Sequence, residues 1–289
     1  LGFLRNQRRA CIEGAAGTGK TVLAFEKAKQ LAEDGVPTLL TCFNTQLATR
    51  LSKAAHEVPN LSVRTFHDTC LQMAQEAKFT LPENSEDFTS EFFDVKLPDM
   101  LLKALDVLPE RRFGAVIVDE AQDLDPEWWA LLELLLKDDK ESFFWAFRDS
   151  NQNLYDRQLG MPAEMQVFAL EENVRNSQAI HAAAAPFASG NPGKCMGPGG
   201  GEVRYEFATN KSAIRSVLSR TLHNLVKGEG LKEEEVIVLT TSSVANSALA
   251  DVDRVGAFEL RQFGDEGRGV SVESIWRFKG LDRPAVIIV

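Results

Sequence analysis

The run ACIEGAAGTGKT, residues 10–21, limits what this chain can fold into more than any other stretch. Ala10, Cys11 and Ile12 are apolar and lead into Gly14, and Gly19, Lys20 and Thr21 complete a G-x-x-x-x-G-K-T spacing. That order calls for a strand, a tight loop and a helix in succession. Glycine at 14, 17 and 19 removes side chains that would stop backbone N–H groups from turning inward, so the loop becomes a concave row of donors for an anion. The helix opening near Gly19 adds the positive end of its dipole. A phosphate chain suits such a loop. Gly14, Ala15, Ala16, Gly17, Thr18, Gly19, Lys20 and Thr21 are therefore the expected nucleotide-binding residues. Lys20 would supply charge to the β and γ phosphates, and the Thr21 hydroxyl a ligand for Mg2+.

With 289 residues there is room for about two domains, each with its own core. Apolar residues at 44% and charged residues at 26% are ordinary for a globular protein that works in the cytoplasm. No stretch has membrane-spanning length, and LGFLRNQRR lacks the apolar core of a signal peptide. Cys11, Cys42, Cys70 and Cys195 are too scattered for a zinc site or a disulfide framework and read as buried thiols. The net charge of −10 argues against coating nucleic acid by bulk electrostatics, but leaves room for one narrow basic track. The chain reads as a fragment of a longer polypeptide, with AVIIV as a buried strand at its end.

Helix follows strand repeatedly, which predicts an α/β fold built on mostly parallel sheets covered on both faces. A helix is expected from Thr18 to Asp34, strands at Pro37–Phe43, Leu61–Arg64, Phe113–Val118 and Ser142–Phe147, and helices opened by Asn44, Thr65 and Asp125. Pro82, Pro98 and Pro109 break up a weaker stretch, about 78–109, expected as a small insertion. A boundary near Leu170–Arg175 divides a first domain, 1–172, from a second, 173–289, which is expected to be incomplete at its C-terminus. The second should hold a helix opened by Asn176, a strand at Glu202–Phe207, a helix over Lys211–Val226, and strands at Val236–Leu239, Val270–Glu273 and Pro284–Val289.

VIVDEAQD, residues 116–123, is the second decisive stretch. An apolar strand ending in two acids complements a phosphate loop: Asp119 would hold Mg2+, and Glu120 would orient and deprotonate an attacking water.

With DEAQD after the phosphate loop, the chain resembles the superfamily I helicases of the UvrD-like group, and further stretches match that family in order. TFH at 65–67 resembles the family's strand-end contact with single-stranded DNA. RDSNQNLY at 148–155 resembles its third motif, LEENVRNSQAI at 170–180 its fourth, and GVSVESIWRFKGLDRPAVIIV at 269–289 its fifth. The resemblance implies two RecA-like domains of the P-loop NTPase fold and an ATP-driven motor using ATP and Mg2+ on single-stranded DNA, moving 3′ to 5′. It gives Gln152 the γ-phosphate sensor and Arg175 an arginine finger arriving from the second domain. Lys279, Gly280 and Asp282 occupy the KGLE positions, with Gly280 and Asp282 on the nucleotide side. Phe43, Asn44, Thr65, Phe66, His67, Tyr155, Trp276 and Lys279 are the implied nucleic-acid contacts. Tyr155, Phe66 and Trp276 fit equally well as core or rim aromatics, and His67 as a helix-start residue.

Three departures matter. Val174 stands where the family carries an aromatic that stacks on adenine, and Arg157 where it carries a tryptophan. The stretch between Arg175 and Val270 is too short for the large helical insertion of bigger members, which implies a minimal motor core, a translocase before an unwinder. Two rival readings stay open: a regulatory ATP-binding module with a protein partner, and a P-loop kinase acting on a small substrate. RNA as the track is also open, since no 2′-hydroxyl contact is visible.

Overall fold

Strands that return through a helix must run parallel, and parallel strands deliver all their carboxyl ends to one edge of the sheet. The computed structural model, which describes residues 4, 6–138, 140–149, 160–162, 164–265 and 267–289, is built this way twice. The chain divides into two units, Leu1–Val203 and Arg204–Val289.

In the first unit β1 (Arg9–Gly14), α1 (Lys20–Glu33), β2 (Thr38–Cys42), α2 (Thr45–Ala54), β3 (Leu61–Thr65) and α3 (Phe66–Glu76) follow the expected alternation. Then come α4 (Leu97–Val107), β4 (Ala115–Val118), α5 (Trp128–Leu134), β5 (Phe143–Arg148), β6 (Gln166–Leu170), β7 (Glu172–Asn173), α6 (Gln178–Ala184) and β8 (Lys194–Cys195). The main sheet has the order β3-β2-β4-β5-β1-β6, and every pairing in it is parallel. β5 therefore lies between β4 and β1, which puts whatever follows β5 between the acidic pair and the phosphate loop.

The two faces are sorted by the period-two alternation of strands. Leu39, Val116, Val118, Phe144 and Ala146 join a core with Phe66, Leu97, Leu101, Trp128 and Trp129. Leu40, Ile117 and Trp145 also exclude water, and α1 packs on β2, β4 and β5, with Lys27 Nζ 4.4 Å from the centre of the Trp145 ring. The stretch expected as an insertion is not a separate body: Phe92, Leu97, Leu101 and Leu105 all sit in the main core, and α4 packs on α3 and α5.

The second unit contains α7 (Lys211–His223), β9 (Val236–Thr240), β10 (Arg254–Val255), β11 (Phe258–Gln262), β12 (Val270–Ser274), α8 (Ile275–Phe278) and β13 (Ala285–Ile288). Its sheet has the order β10-β11-β12-β9-β13, parallel except for the β10–β11 hairpin. Leu218 and Leu222 of α7 pack with Val236, Val238, Val270 and Val272.

Several expectations change. The division falls at Val203/Arg204 and not near residue 172, because the segment after β6 is hydrogen-bonded to the phosphate loop. Glu202–Phe207 is not a strand: among the described residues no strand pairs with it, and Tyr205 and Phe207 are exposed, so alternation without a neighbour builds no ladder. Ser177, not Asn176, caps α6, its hydroxyl accepting from the Ile180 amide. Among the described residues no helix is long and apolar enough to cross a membrane.

Trp128 stacks on Phe66 with ring centres 4.6 Å apart and meets His67 edge-on at 4.9 Å. Trp128→Ala should lower stability by about 3–5 kcal/mol, read as a shifted urea midpoint with an unchanged slope.

Candidate active site

The phosphate loop has the backbone its glycines predict. Gly17 and Gly19 adopt φ of 83° and 88°, the left-handed region that favours glycine, and Gly19 forms the N-terminal boundary of α1. A Cβ on Gly14 would fall 2.6 Å from Thr18 Oγ1, and one on Gly17 would fall 2.4 Å from Asn173 Oδ1. Thr18 Oγ1 donates to the Ala15 carbonyl, which tightens the turn. Lys20 is buried, and its Nζ donates to the carbonyls of Gly14 at 2.8 Å and Ala15 at 3.0 Å.

Asp119 and Glu120 follow β4 directly. The Asp119 amide donates to the Thr41 carbonyl, continuing the ladder, while Glu120 breaks it at φ 52°, ψ 42°. A glutamate in the left-handed region is uncommon, and such backbone strain gathers at functional sites. Asp119 is completely buried, and neither of its carboxylate oxygens has a hydrogen bond of ordinary geometry. Burial pushes its carboxyl up to about 7, with Glu120 adding to the rise and the Thr21 hydroxyl, the Glu120 amide and Lys20 opposing it. A sealed carboxyl without a well-formed hydrogen bond, beside the Thr21 hydroxyl, is an oxygen donor set that suits a hard divalent cation, so the residues present fit Mg2+. Cys42 is packed close by, and burial, reinforced by Asp119 and Glu120, holds its thiol protonated.

Two residues without an assigned role in the sequence join these parts. Gln122 donates from Nε2 to Glu120 Oε2 at 2.6 Å and accepts from the Asp149 amide at 2.9 Å. Asp149, 1% exposed at the end of β5, places Oδ2 3.5 Å from Lys20 Nζ. A line of contacts thus runs from Lys20 through Asp149 and Gln122 to Glu120. Both residues lie inside stretches that the sequence marks, DEAQD and RDSNQNLY, and that position was the available signal. Asn173 is the third such residue, inside EENVRNS: it is buried, and its Nδ2 donates to the Ala16 carbonyl at 2.7 Å.

Arg175 lies in the first unit, and its backbone amide donates to Gly17 O at 3.1 Å. The expectation that it arrives from a second domain is not met by this placement, because the chain is bonded to the loop at this point. Val174, which stands at the adenine-stacking position, is exposed. Gln152 and Tyr155 lie outside the described residues.

The implied nucleic-acid contacts fall into separate groups. Phe43, Phe66 and His67 collect around Trp128 at the carboxyl ends of β2 and β3. Phe66 has no exposed surface, so its ring is core and cannot stack on a base. Thr65 caps α3 by accepting from the Asp68 amide, and Asn44 caps α2 by accepting from those of Gln46 and Leu47. Both side chains therefore have a structural use. Within the second unit Trp276 lies on α8 and is exposed, Lys279 is half-buried, Gly280 turns the chain at φ 80°, and Asp282 is exposed.

The raised Asp119 carboxyl makes stability depend on pH. In the unfolded chain it loses its proton near pH 4, whereas in the folded chain it keeps it until about pH 7. The folded state therefore binds more protons between those values, and this group's contribution to stability declines as pH rises through that window. Asp119→Asn should raise the thermal midpoint at pH 8 by several degrees and leave it near the parent's at pH 4. At pH 8, Mg2+ should stabilise the parent and not the variant.

A family model described as an AAA domain (AAA_19) matches residues 3–158, more than half of the chain. Comparison with curated proteins gives no match. Among solved structures, Bacteroides Pif1 bound to single-stranded DNA is similar over 82% of this chain, at 12% identity and a TM-score of 0.29. The chain spans about half of that structure's length, 51%. The match over residues 3–158 contains the phosphate loop, the buried Asp119–Glu120 pair and Asp149, so the chain belongs to the AAA_19 family of AAA domains.

Proposed function

We propose that this chain is the motor core of an ATPase that couples hydrolysis of Mg-ATP to movement on single-stranded DNA in the cytoplasm, 3′ to 5′. The observation that carries the reading is the sealed Asp119–Glu120 pair, joined through Gln122 and Asp149 to Lys20 of the phosphate loop. Structural use alone does not account for burying so many acids.

In this reading the amides of the loop and Lys20 bind the phosphates. Lys20 gives up Asp149 and the Gly14 and Ala15 carbonyls to do so. Thr21 and Asp119 would hold Mg2+, which when bound neutralises phosphate charge. Glu120, with one carboxylate oxygen fixed by the Gln122 amide, orients a water and takes its proton. Gln152 and Arg175 sense the γ-phosphate, and Arg175 stabilises the charge that grows as the terminal phosphate departs. Gly280 and Asp282 would complete the nucleotide side of the second unit. Phe43, Asn44, His67, Tyr155, Trp276 and Lys279 are proposed to contact the strand, with Thr65 acting through its cap. The AAA_19 match supports a helicase-like ATPase, and the DNA named with Pif1 motivates the choice of track.

The decisive experiment is steady-state ATP hydrolysis with and without a single-stranded DNA oligonucleotide, with Glu120→Gln as control. Strong stimulation by DNA is expected, with turnover in the control lower by about 10²–10⁴ while nucleotide binding persists. Hydrolysis indifferent to DNA would replace the motor with the regulatory ATP-binding reading, and an RNA oligonucleotide run alongside tests the track. For polarity, streptavidin displacement from biotinylated strands should be fast at the 5′ end and slow at the 3′ end. The reverse pattern would reject 3′ to 5′ movement.

A further inference from the structure

Three consecutive residues, Asn173, Val174 and Arg175, place three donors on two consecutive carbonyls of the phosphate loop. Asn173 Nδ2 donates to Ala16 O at 2.7 Å, and the Val174 and Arg175 amides donate to Gly17 O at 3.0 and 3.1 Å. Asn173 is 2% exposed, its Oδ1 accepts from the Asn176 amide at 3.1 Å, and its own carbonyl accepts from Met196 at 2.8 Å. The side chain is thus fixed from both sides. It also fits against Gly17 so closely that no Cβ could be added there.

The effect on the loop follows from peptide geometry. In a trans peptide the C=O of one residue and the N–H of the next point in opposite directions, and there is no cis bond among the described residues. Holding the Ala16 carbonyl toward Asn173 turns the Gly17 N–H away from it. Holding the Gly17 carbonyl toward residues 174 and 175 does the same for the Thr18 N–H. These two amides belong to the row on which an anion would rest; the Thr18 amide meanwhile donates to the Ala15 carbonyl at 3.3 Å, and the contacts from residues 173–175 come from behind and do not compete with a ligand.

We propose that Asn173 is a positioning residue that presets the phosphate loop and holds the backbone of Arg175 to it, so that loop and arginine move as one body. This rests on the nucleotide-binding reading and deepens it. An arginine carried by the loop is set before nucleotide arrives, whereas one crossing from another unit would have to be delivered.

Hydrogen exchange on the full chain without nucleotide, together with nucleotide affinity and turnover, tests this. Asn173→Ala, and the near-isosteric Asn173→Asp should the first fail to fold, should speed exchange of the loop peptide, residues 14–20, about tenfold while leaving that of β4 and β5 unchanged. Asn173→Ala should weaken ATP and ADP binding alike by about tenfold. Adding Arg175→Ala to it should lower kcat by much less than Arg175→Ala does in the parent, because the arginine is already out of place. Unchanged loop exchange would overturn the proposal, as would a lowered melting temperature with affinity within twofold of the parent, or fully additive effects of the two substitutions. A parent chain that binds no ATP would overturn the functional reading instead, and exchange in the nucleotide-free chain would still decide whether the latch exists.

Discussion

A carboxyl group with no surface and no hydrogen bond of ordinary geometry is the hardest thing in this fold to accommodate, and much of the first unit is arranged around it. Asp119 reaches its place because β4 is an interior strand, flanked by β2 and β5, and its carboxyl end excludes water. An isolated ionised carboxylate in such a place is strongly disfavoured, and the rise of its pKa to about 7 expresses that. The Thr21 hydroxyl, the Glu120 amide and Lys20 relieve it only in part. A cation at this spot would complete the relief, which ties the fold of the strand to the chemistry of the edge.

The strand order supplies the rest. With β5 between β4 and β1, the residue that follows β5 is the natural bridge between acids and phosphate loop, and Asp149 fills that position. Gln122 spans the remaining gap because the short turn after Glu120 swings its amide back toward both Glu120 and the Asp149 backbone. The left-handed backbone at Glu120 is what lets the chain leave the strand in that direction. Strain at one residue thus serves to place two side chains.

Local chemistry was legible in the amino-acid sequence, and distant chemistry was not. The phosphate loop, the strand before it and the acidic pair could be read because each is a short pattern whose physics is local. β5 and β9 could be read as runs of buried residues. β6 was missed because its QVFAL is half exposed at a sheet edge and carries little apolar signal, and the β10–β11 hairpin because Gly256 and charged residues interrupt it. Glu202–Phe207 failed in the opposite sense, having alternation without a neighbour. Which of the two uses open to Phe66 applies, and which unit holds Arg175, could not be read for a related reason: burial under Trp128 and bonding to Gly17 depend on residues far away in the chain. Asn173, Gln122 and Asp149 lie within stretches already marked, yet their partners could not be named without the fold.

The Lys20–Asp149 contact bears on how the loop lets go. A lysine alone in a phosphate loop would grip any polyanion, product as well as substrate. Here the cation has an internal alternative, a buried carboxylate 3.5 Å away and two loop carbonyls. Occupancy of the loop is then an exchange of one anionic neighbour for another, and the free energy of holding a nucleotide is the difference between them. On the proposed reading, a site built on such a difference would release a spent nucleotide without first having to break open, as a machine that empties itself after every cycle requires.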